Sequence, residues 1–317
     1  MLKNDRILVV GSHVPGLLLR LKRPPVSGET VIGWGYEEPI DGGKGSNQAI
    51  AAARLGGKVS FVGCVGRDRI GEQGEQWMIE AGVDISHLRH SPATASGIGF
   101  ILLDEAGVPA MVSSLGANAE ITLEDVEVSI ADLSDTGVLL TQFEIPIPVA
   151  LQALQFARQK GMLTILNPAP ALESNLSGLD RADILVPNET EARLLLDLPV
   201  EQELDYTWLA QRLREHTGAS VVLITIGERG VVGCDMQSTW SVSPPPVKVV
   251  DTSGAGDAFC AALAVALVEG RSIREASAWA CNVAALSVTR QGTIPAYPTR
   301  TEADAFIRSN VGNFEGH

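Results

Sequence analysis

The chain has 317 residues, 45% of them hydrophobic, and a mean hydropathy of +0.15, enough for one large α/β domain with an elaboration or for two ordinary domains. Its 24 basic and 38 acidic side chains leave a net charge of −14, which speaks against nucleic acid or an anionic membrane as partner, because the nonspecific attraction to a polyanion would be reversed. Four cysteines, at 64, 234, 260 and 281, have neither zinc nor disulfide spacing; with no signal-like start and no apolar run of membrane-spanning length, a cytoplasmic protein is expected.

In chain order, short β-branched runs bounded by turns predict strands at Arg6–Gly11, Val59–Gly66, Gly137–Glu144, Met162–Asn167, Ala182–Asn188 and Ser220–Gly227. Helical patterns fall between most of them, at Ser46–Leu55, Ile70–Ala81, Val149–Lys160 and Glu189–Leu196. Such alternation implies a parallel sheet with helices on both faces, whose sites gather at the carboxyl ends of the strands. Two segments interrupt it: Leu17–Lys22 with Glu29–Tyr36, and Gly97–Leu103 with Pro109–Ser113 around Asp104–Gly107, read as strand pairs with no helix between partners. Together they predict a small separate sheet, either a lid over the active edge or an edge extension. Ser272–Glu275 is a capping box opening a helix with Trp279, Val283 and Leu286 on one face, and Asn310–His317 is expected to fray.

Two glycine-rich stretches carry the chemistry. Asp251-Thr-Ser-Gly-Ala-Gly-Asp257 runs into an apolar helix, with Thr252 and Ser253 as candidate N-caps and Phe259, Leu263 and Leu267 at helical spacing. The amides of Gly254, Ala255 and Gly256 at the positive end of the dipole suit an anion whose charge is growing. Asp257 beside them either complements the dipole or accepts a proton from an attacking hydroxyl. The second stretch, Asp41-Gly-Gly-Lys-Gly-Ser-Asn47, opens an Ala-rich helix. It is not a P-loop, since Glu38 and Gly45 stand where Gly and Ser or Thr are required, and Gly11–Gly16 lacks the dinucleotide spacing. Backbone donors, the Lys44 ammonium and the Asn47 amide suit a neutral polyol, or the glycines merely allow close packing.

Gly42-Gly-Lys-Gly-Ser-Asn47-Gln-Ala and Asp251-Thr-x-x-Ala-Gly-Asp257 resemble the two signatures of the ribokinase-like (PfkB) carbohydrate kinases. Asn167-Pro-Ala-Pro-Ala171, Pro187-Asn-Glu-Thr-Glu191, Leu223–Gly230 and Val288–Gly292 resemble the ribokinase branch, so that the likeness spans nearly the whole chain. The resemblance implies one kinase domain over 1–317, a three-layer parallel α/β core with lid segments at about 15–37 and 95–116. It further implies Asp257 as base and Gly254–Gly256 as anion hole. Asn188 and Glu191 would organise Mg²⁺ and the phosphates of ATP, and Thr225, Gly227, Gly230 and Cys281 would line the nucleotide site. Asp251, Ser253, Ser287, Arg290, Gly292 and Ala296 would surround an activating K⁺, while Gly42, Gly43, Lys44, Asn47 and Glu144 would bind the sugar.

The chain departs from the pattern at two places. Val14 and Gly16 stand where ribokinases carry an Asn and an Asp that grip ribose hydroxyls, leaving His13 and Asp41 as nearby polar candidates; Cys281 replaces a His or Asn beside the nucleotide. Ribose is therefore expected to be a poor substrate. The reaction expected is ATP-dependent phosphorylation of a hydroxymethyl group on a pentose, hexose or related sugar. The alternatives are a nucleoside or sugar-acid kinase, the latter suggested by Arg20, Lys22 and Arg23, and a non-catalytic sugar-binding protein. Apolar lid residues Leu17, Leu19, Val31, Ile98, Phe100, Ile101 and Leu103 lead to the expectation of a homodimer.

Overall fold

The computed structural model describes residues 4–38, 41–106, 109–171 and 177–311. Its larger sheet begins with β1 (Arg6–Val10), β4 (Lys58–Gly66) and β5 (Asp84–Ser91), continues through β8 (Thr136–Thr141), β9 (Leu163–Leu166) and β10 (Ile184–Leu185), and ends with β11 (Val221–Thr225), β12 (Val231–Cys234) and β13 (Thr239–Val242). The spatial order is β13-β12-β11-β10-β9-β8-β1-β4-β5, parallel except for the β12–β13 hairpin at one edge. That hairpin is absent from the sequence-based expectation, which ended the strand pattern at Gly227. It turns at Asp235, whose carboxylate accepts from the amides of Gln237 and Ser238, both at 2.8 Å.

Strand alternation shows why both faces need helices. Ile7 and Val9 of β1 enter one core with α1 (Gly43–Arg54), α2 (Arg69–Glu80), α7 (Ala255–Val268) and α8 (Ile273–Ser287). Leu8 and Val10 enter the other, with α3 (Leu123–Asp132), α4 (Ile147–Gln159), α5 (Glu189–Leu195) and α6 (Tyr206–Thr217). The last helix, α9 (Arg300–Val311), packs beside α8. α3, α6 and α9 were not predicted; residues 312–317 of the expected fraying end lie outside the described residues.

The smaller sheet has the order β3-β2-β6-β7, from β2 (Gly16–Arg20), β3 (Gly35–Glu37), β6 (Ile98–Leu103) and β7 (Pro109–Ser114). Part of the expected turn, Gly107, lies outside the described residues. The two pairs join through β2 and β6, which run parallel. The first pair is much shorter than expected, because Glu29 closes a turn instead of starting a strand. Its carboxylate accepts from Arg23 at 2.7 Å and from the Val26 amide at 3.1 Å, and Pro24 and Pro25 can donate nothing to a ladder. Ile32, Trp34, Tyr36, Met111 and Val112 stand exposed on this sheet and its loop, while most of the apolar residues named from the sequence are half-buried.

Candidate active site

α1 and α7 start side by side at the carboxyl edge of the large sheet. The first turn of α7 is built by Gly254, which serves as N-cap at φ 71°; Thr252 and Ser253 do not cap it with their side chains, contrary to expectation. A side chain at 254 would be strained at that φ, and its Cβ would lie 2.4 Å from Tyr297 Oη. The Ala255 amide turns back to the Thr252 carbonyl at 3.3 Å, so Gly254 and Gly256 are the expected anion donors with no protein acceptor among the described residues. A Cβ at Gly256 would meet nothing within 4 Å. Open space in front of amides at a helix N-terminus is the geometry of an anion cradle.

Asp257 is 8% exposed. Its Oδ1 accepts from Gln48 Nε2 at 2.9 Å and its Oδ2 from Asn47 Nδ2 at 3.4 Å. Burial pushes its pKa up to about 6, opposed by the Lys44 ammonium and the Gln48 bond and reinforced by Glu144 and Asp41. Burial works against the Lys44 ammonium too, but Asp257, Glu144 and Glu191 hold its pKa above the ordinary lysine value. A carboxylate poised near neutrality, facing a fixed ammonium, can take a proton at pH 7.

Lys44 lines a chamber of about 180 Å³ with Asn167, Asn188, Glu191, Thr252, Gly254–Asp257 and Cys260. Its side chain thus faces this chamber, while its backbone amide donates to Glu144 Oε2 at 2.9 Å. Glu144 also accepts from Ser12 Oγ at 2.6 Å. Asn188 and Glu191 cap α5 reciprocally, each accepting from the other's amide at 2.8 Å. Burial raises the Glu191 pKa, against the Asn188 bond and Lys44. Beyond the chamber, a cavity of about 1240 Å³ is lined by Thr225, Gly227, Gly230, Pro244–Pro246, Phe259, Cys281 and Val288, which brings the expected nucleotide residues together. The burial of Cys281 raises its thiol pKa to about 12.

At the expected sugar site, Gly42 and Gly43 are glycines because their surroundings are crowded: a Cβ at 42 would lie 2.1 Å from Ser46 Oγ and one at 43 would lie 2.9 Å from the Val14 backbone. The Gly42 amide donates to Asn47 Oδ1 at 3.0 Å. Asp41 Oδ1 accepts from Asn47 Nδ2 at 2.7 Å, Thr293 Oγ1 at 3.1 Å and the Gly43 amide at 3.3 Å. Its other oxygen faces Gly16, 3.5 Å from where a Cβ there would be. The far end is therefore not wholly apolar, as Gly16 and Val14 alone suggest: Asp41 brings a carboxylate to it.

His13 is a correction. Its ring is buried, bonded through Nδ1 to Ser46 Oγ at 3.0 Å, packed on Gly74 and edge-on to Trp77 at 6.2 Å. Burial lowers its pKa to about 4, so it is a neutral packing residue between α1 and α2. Of the basic run, Arg20 pairs with Glu37 at 2.9 Å and Arg23 with Glu29. Behind the cradle, Asp251 ties two loops together, accepting from the Ser253 and Gly292 amides at 2.9 Å each. Ala296 lies in the same second loop, its amide bonded to the Thr293 carbonyl at 2.9 Å, whereas Ser287 Oγ bonds Ala284 O at 2.8 Å and the Arg290 side chain leaves for Glu302 at 2.6 Å. Among the described residues no cluster of three or more His, Cys, Asp or Glu could hold a metal. The sequence reading passed over Gln48, Gln142, Thr293 and Tyr297; only Gln48 carried a signal, lying four residues after Lys44 on one helix face.

A buried carboxylate, a facing lysine and an open helix N-terminus beside a large cavity define an α/β phosphotransferase. Comparison with known proteins makes this specific. The model of the pfkB family carbohydrate kinases matches residues 37–300. Ribokinase of Haemophilus influenzae is 35% identical over 280 residues, 88% of this chain and 91% of that protein. Deoxyribokinase of Salmonella typhi is 32% identical over 305 residues, 96% and 99% of the two chains. The structure of Arabidopsis thaliana ribokinase complexed with ribose and ATP superposes with a TM-score of 0.86 at 28% identity, covering 96% of this chain and 99% of that one. The chain belongs to the pfkB family of carbohydrate kinases and is an ATP-dependent sugar kinase, a phosphotransferase whose acceptor is a sugar hydroxyl.

Proposed function

We propose that this kinase transfers the γ-phosphoryl group of ATP to a hydroxymethyl group of a pentose or related sugar, with Asp257 as general base. The observation that carries the roles is the placement of buried Asp257 between the Gly254–Gly256 cradle and Lys44. Asp257 takes the proton of the sugar hydroxyl as it attacks. The Gly254 and Gly256 amides and the Lys44 ammonium meet the charge spreading over the transferring group, which is where most of the stabilisation in phosphoryl transfer arises. Asn188 and Glu191, which line the chamber, would hold a Mg²⁺ accompanying the phosphates, and Thr225, Gly227 and Gly230 would cradle the nucleotide. When bound, Mg²⁺ neutralises phosphate charge; the chain's own task is to hold the two substrates in line. The small sheet acts as the lid of a single kinase domain. Assay of ADP release with Mg²⁺ and ATP over pentoses, hexoses, polyols, nucleosides and sugar acids tests this. Sugar-dependent release is expected, and release confined to nucleosides or sugar acids would overturn the acceptor class.

The sugar end favours an acceptor with fewer ring hydroxyls than ribose. Asp41 offers one carboxylate oxygen beside Gly16, and buried Val14 offers no side-chain partner. An unpaired buried hydroxyl costs about tenfold to a hundredfold in kcat/KM, so a deoxypentose should exceed ribose by about that factor. Ribose turnover at about 10⁵ M⁻¹s⁻¹ or more, within the ordinary enzyme range, would refute this.

A further inference from the structure

Three successive parallel strands, β8, β9 and β10, each deliver a polar group at their carboxyl ends: the amide of Gln142, the amide of Asn167 and the carbonyl of Val186. Two of them, Gln142 and Asn167, converge on one side chain of α1, the fully buried Gln48, and the third, the Val186 carbonyl, fixes Asn167. Asn167 Nδ2 donates to the Val186 carbonyl at 2.8 Å, which turns Asn167 Oδ1 toward Gln48 Nε2, 3.3 Å away. From the other side Gln142 Nε2 donates to Gln48 Oε1 at 2.5 Å. A backbone carbonyl can only accept, so the whole series has one consistent polarity, and it leaves the Gln48 amide with its N–H end facing Asp257. The bond to Asp257 Oδ1, at 2.9 Å, completes the series.

We propose that Gln48, oriented by Gln142 and Asn167, is a positioning residue for Asp257: it occupies Oδ1 and leaves Oδ2 as the oxygen that accepts the substrate proton. Oδ2 has only the long 3.4 Å contact to Asn47, so it is the oxygen available to a hydroxyl entering from the sugar side. A donor bound to a carboxylate favours its charged form, and in this water-poor site the charge has few other supports. The groups that face Asp257 are Lys44, Glu144, Asp41, Glu191, Cys260 and Tyr297. Lys44 is the sole cation among them, and it must also serve the phosphates. Gln48 is the neutral partner that keeps the base ionised and fixes its plane while Lys44 is engaged elsewhere. This role rests on Asp257 being the base, and the test separates the two.

The experiment is the pH profile of kcat/KM for the best sugar, together with ADP binding by calorimetry, for Gln48→Met, Gln142→Met, the double variant and Asp257→Asn. Met fills the volume of Gln without its amide. Gln48→Met should lower kcat about tenfold or more and move the acid limb upward by about one pH unit, with sugar KM and ADP affinity within about threefold of wild type. Gln142→Met removes the donor to Gln48 Oε1, while Asn167 and Asp257 still hold its Nε2 end. It should shift the limb the same way by less, and the double variant should be no worse than Gln48→Met alone. A kcat within about threefold of wild type and an unmoved limb in Gln48→Met, with Asp257→Asn inactive, would overturn the positioning role while the base stands. An active Asp257→Asn would instead remove the base itself. If Gln48→Met does not fold, an unmoved limb in Gln142→Met overturns the proposal and an upward shift supports it.

Discussion

At the scale of the residue, Asp257 carries opposing demands. Its pKa is raised from 3.8 to about 6, chiefly by burial, which suits a base near neutral pH and costs stability there. The sign follows from linkage. A group whose folded pKa is raised contributes stability that is fully present below its unfolded value and lost as pH rises through the folded value. Wild type should therefore lose stability relative to Asp257→Asn between pH 4 and pH 7.5, as thermal melts of the two at both pH values would show. A constant difference would place the carboxylate in a more hydrated setting. In activity the same group acts in reverse: kcat/KM should fall as pH drops below about 6. Asp257→Asn, which keeps an acceptor for Gln48, should retain ADP binding and lose about a hundredfold or more in kcat; retention of a third of wild-type turnover would rule out base catalysis.

At the scale of the element, the start of α7 depends on a residue that is both conformationally special and crowded. Gly254→Ala meets the φ of 71° and the Tyr297 hydroxyl together, and should cost about 1–3 kcal/mol as well as most of the activity. Adding Tyr297→Phe removes the closest collision and leaves the backbone strain and tight contacts to Thr293 Cγ2 at 3.1 Å and the ring Cε1 at 3.2 Å. The double variant should recover part of the stability, and a chemical denaturation series showing no recovery would mean that the hydroxyl yields freely. α8 is a control of another kind. Its capping box, with the Ser272 amide on Glu275 at 2.9 Å, is far from the chemistry, so Ser272→Ala should cost about 1 kcal/mol with kcat unchanged.

At the scale of the whole molecule, the exposed Ile32, Trp34, Tyr36, Met111 and Val112 of the small sheet and its loop are more apolar surface than a solvated flap needs. A second copy would cover it, and light scattering at micromolar concentration should return the dimer mass; a monomer mass refutes this. The two loops joined by Asp251 brace the cradle from behind. A monovalent cation held among their carbonyls would stiffen it, so activity in potassium salts should exceed that in sodium or choline salts, and equal rates in all three would dismiss the cation.

Sequence alone was sufficient for the layered parallel sheet, the separate small sheet and the two glycine-rich helix starts, because period-2 burial, turn chemistry and helix-terminus geometry are written in adjacent residues. It was insufficient where an element's extent is set by its neighbours: β10, expected over Ala182–Asn188, is two residues paired with β9 and β11, and β3, expected from Glu29, is three residues held by β2. α6 and α9 carry too many polar residues for a clear apolar stripe. The direction of side chains was likewise a tertiary matter. His13 faces α2 because Gly74 leaves room for its ring, and Asp41 reaches Gly16 because Asn47 and Thr293 hold its other oxygen. Gln48 and Asp257 are 209 positions apart, and Gln48 and Gln142 are 94 apart. No local pattern encodes such meetings: they arise when the carboxyl ends of neighbouring strands bring their first loop residues to the same helix starts.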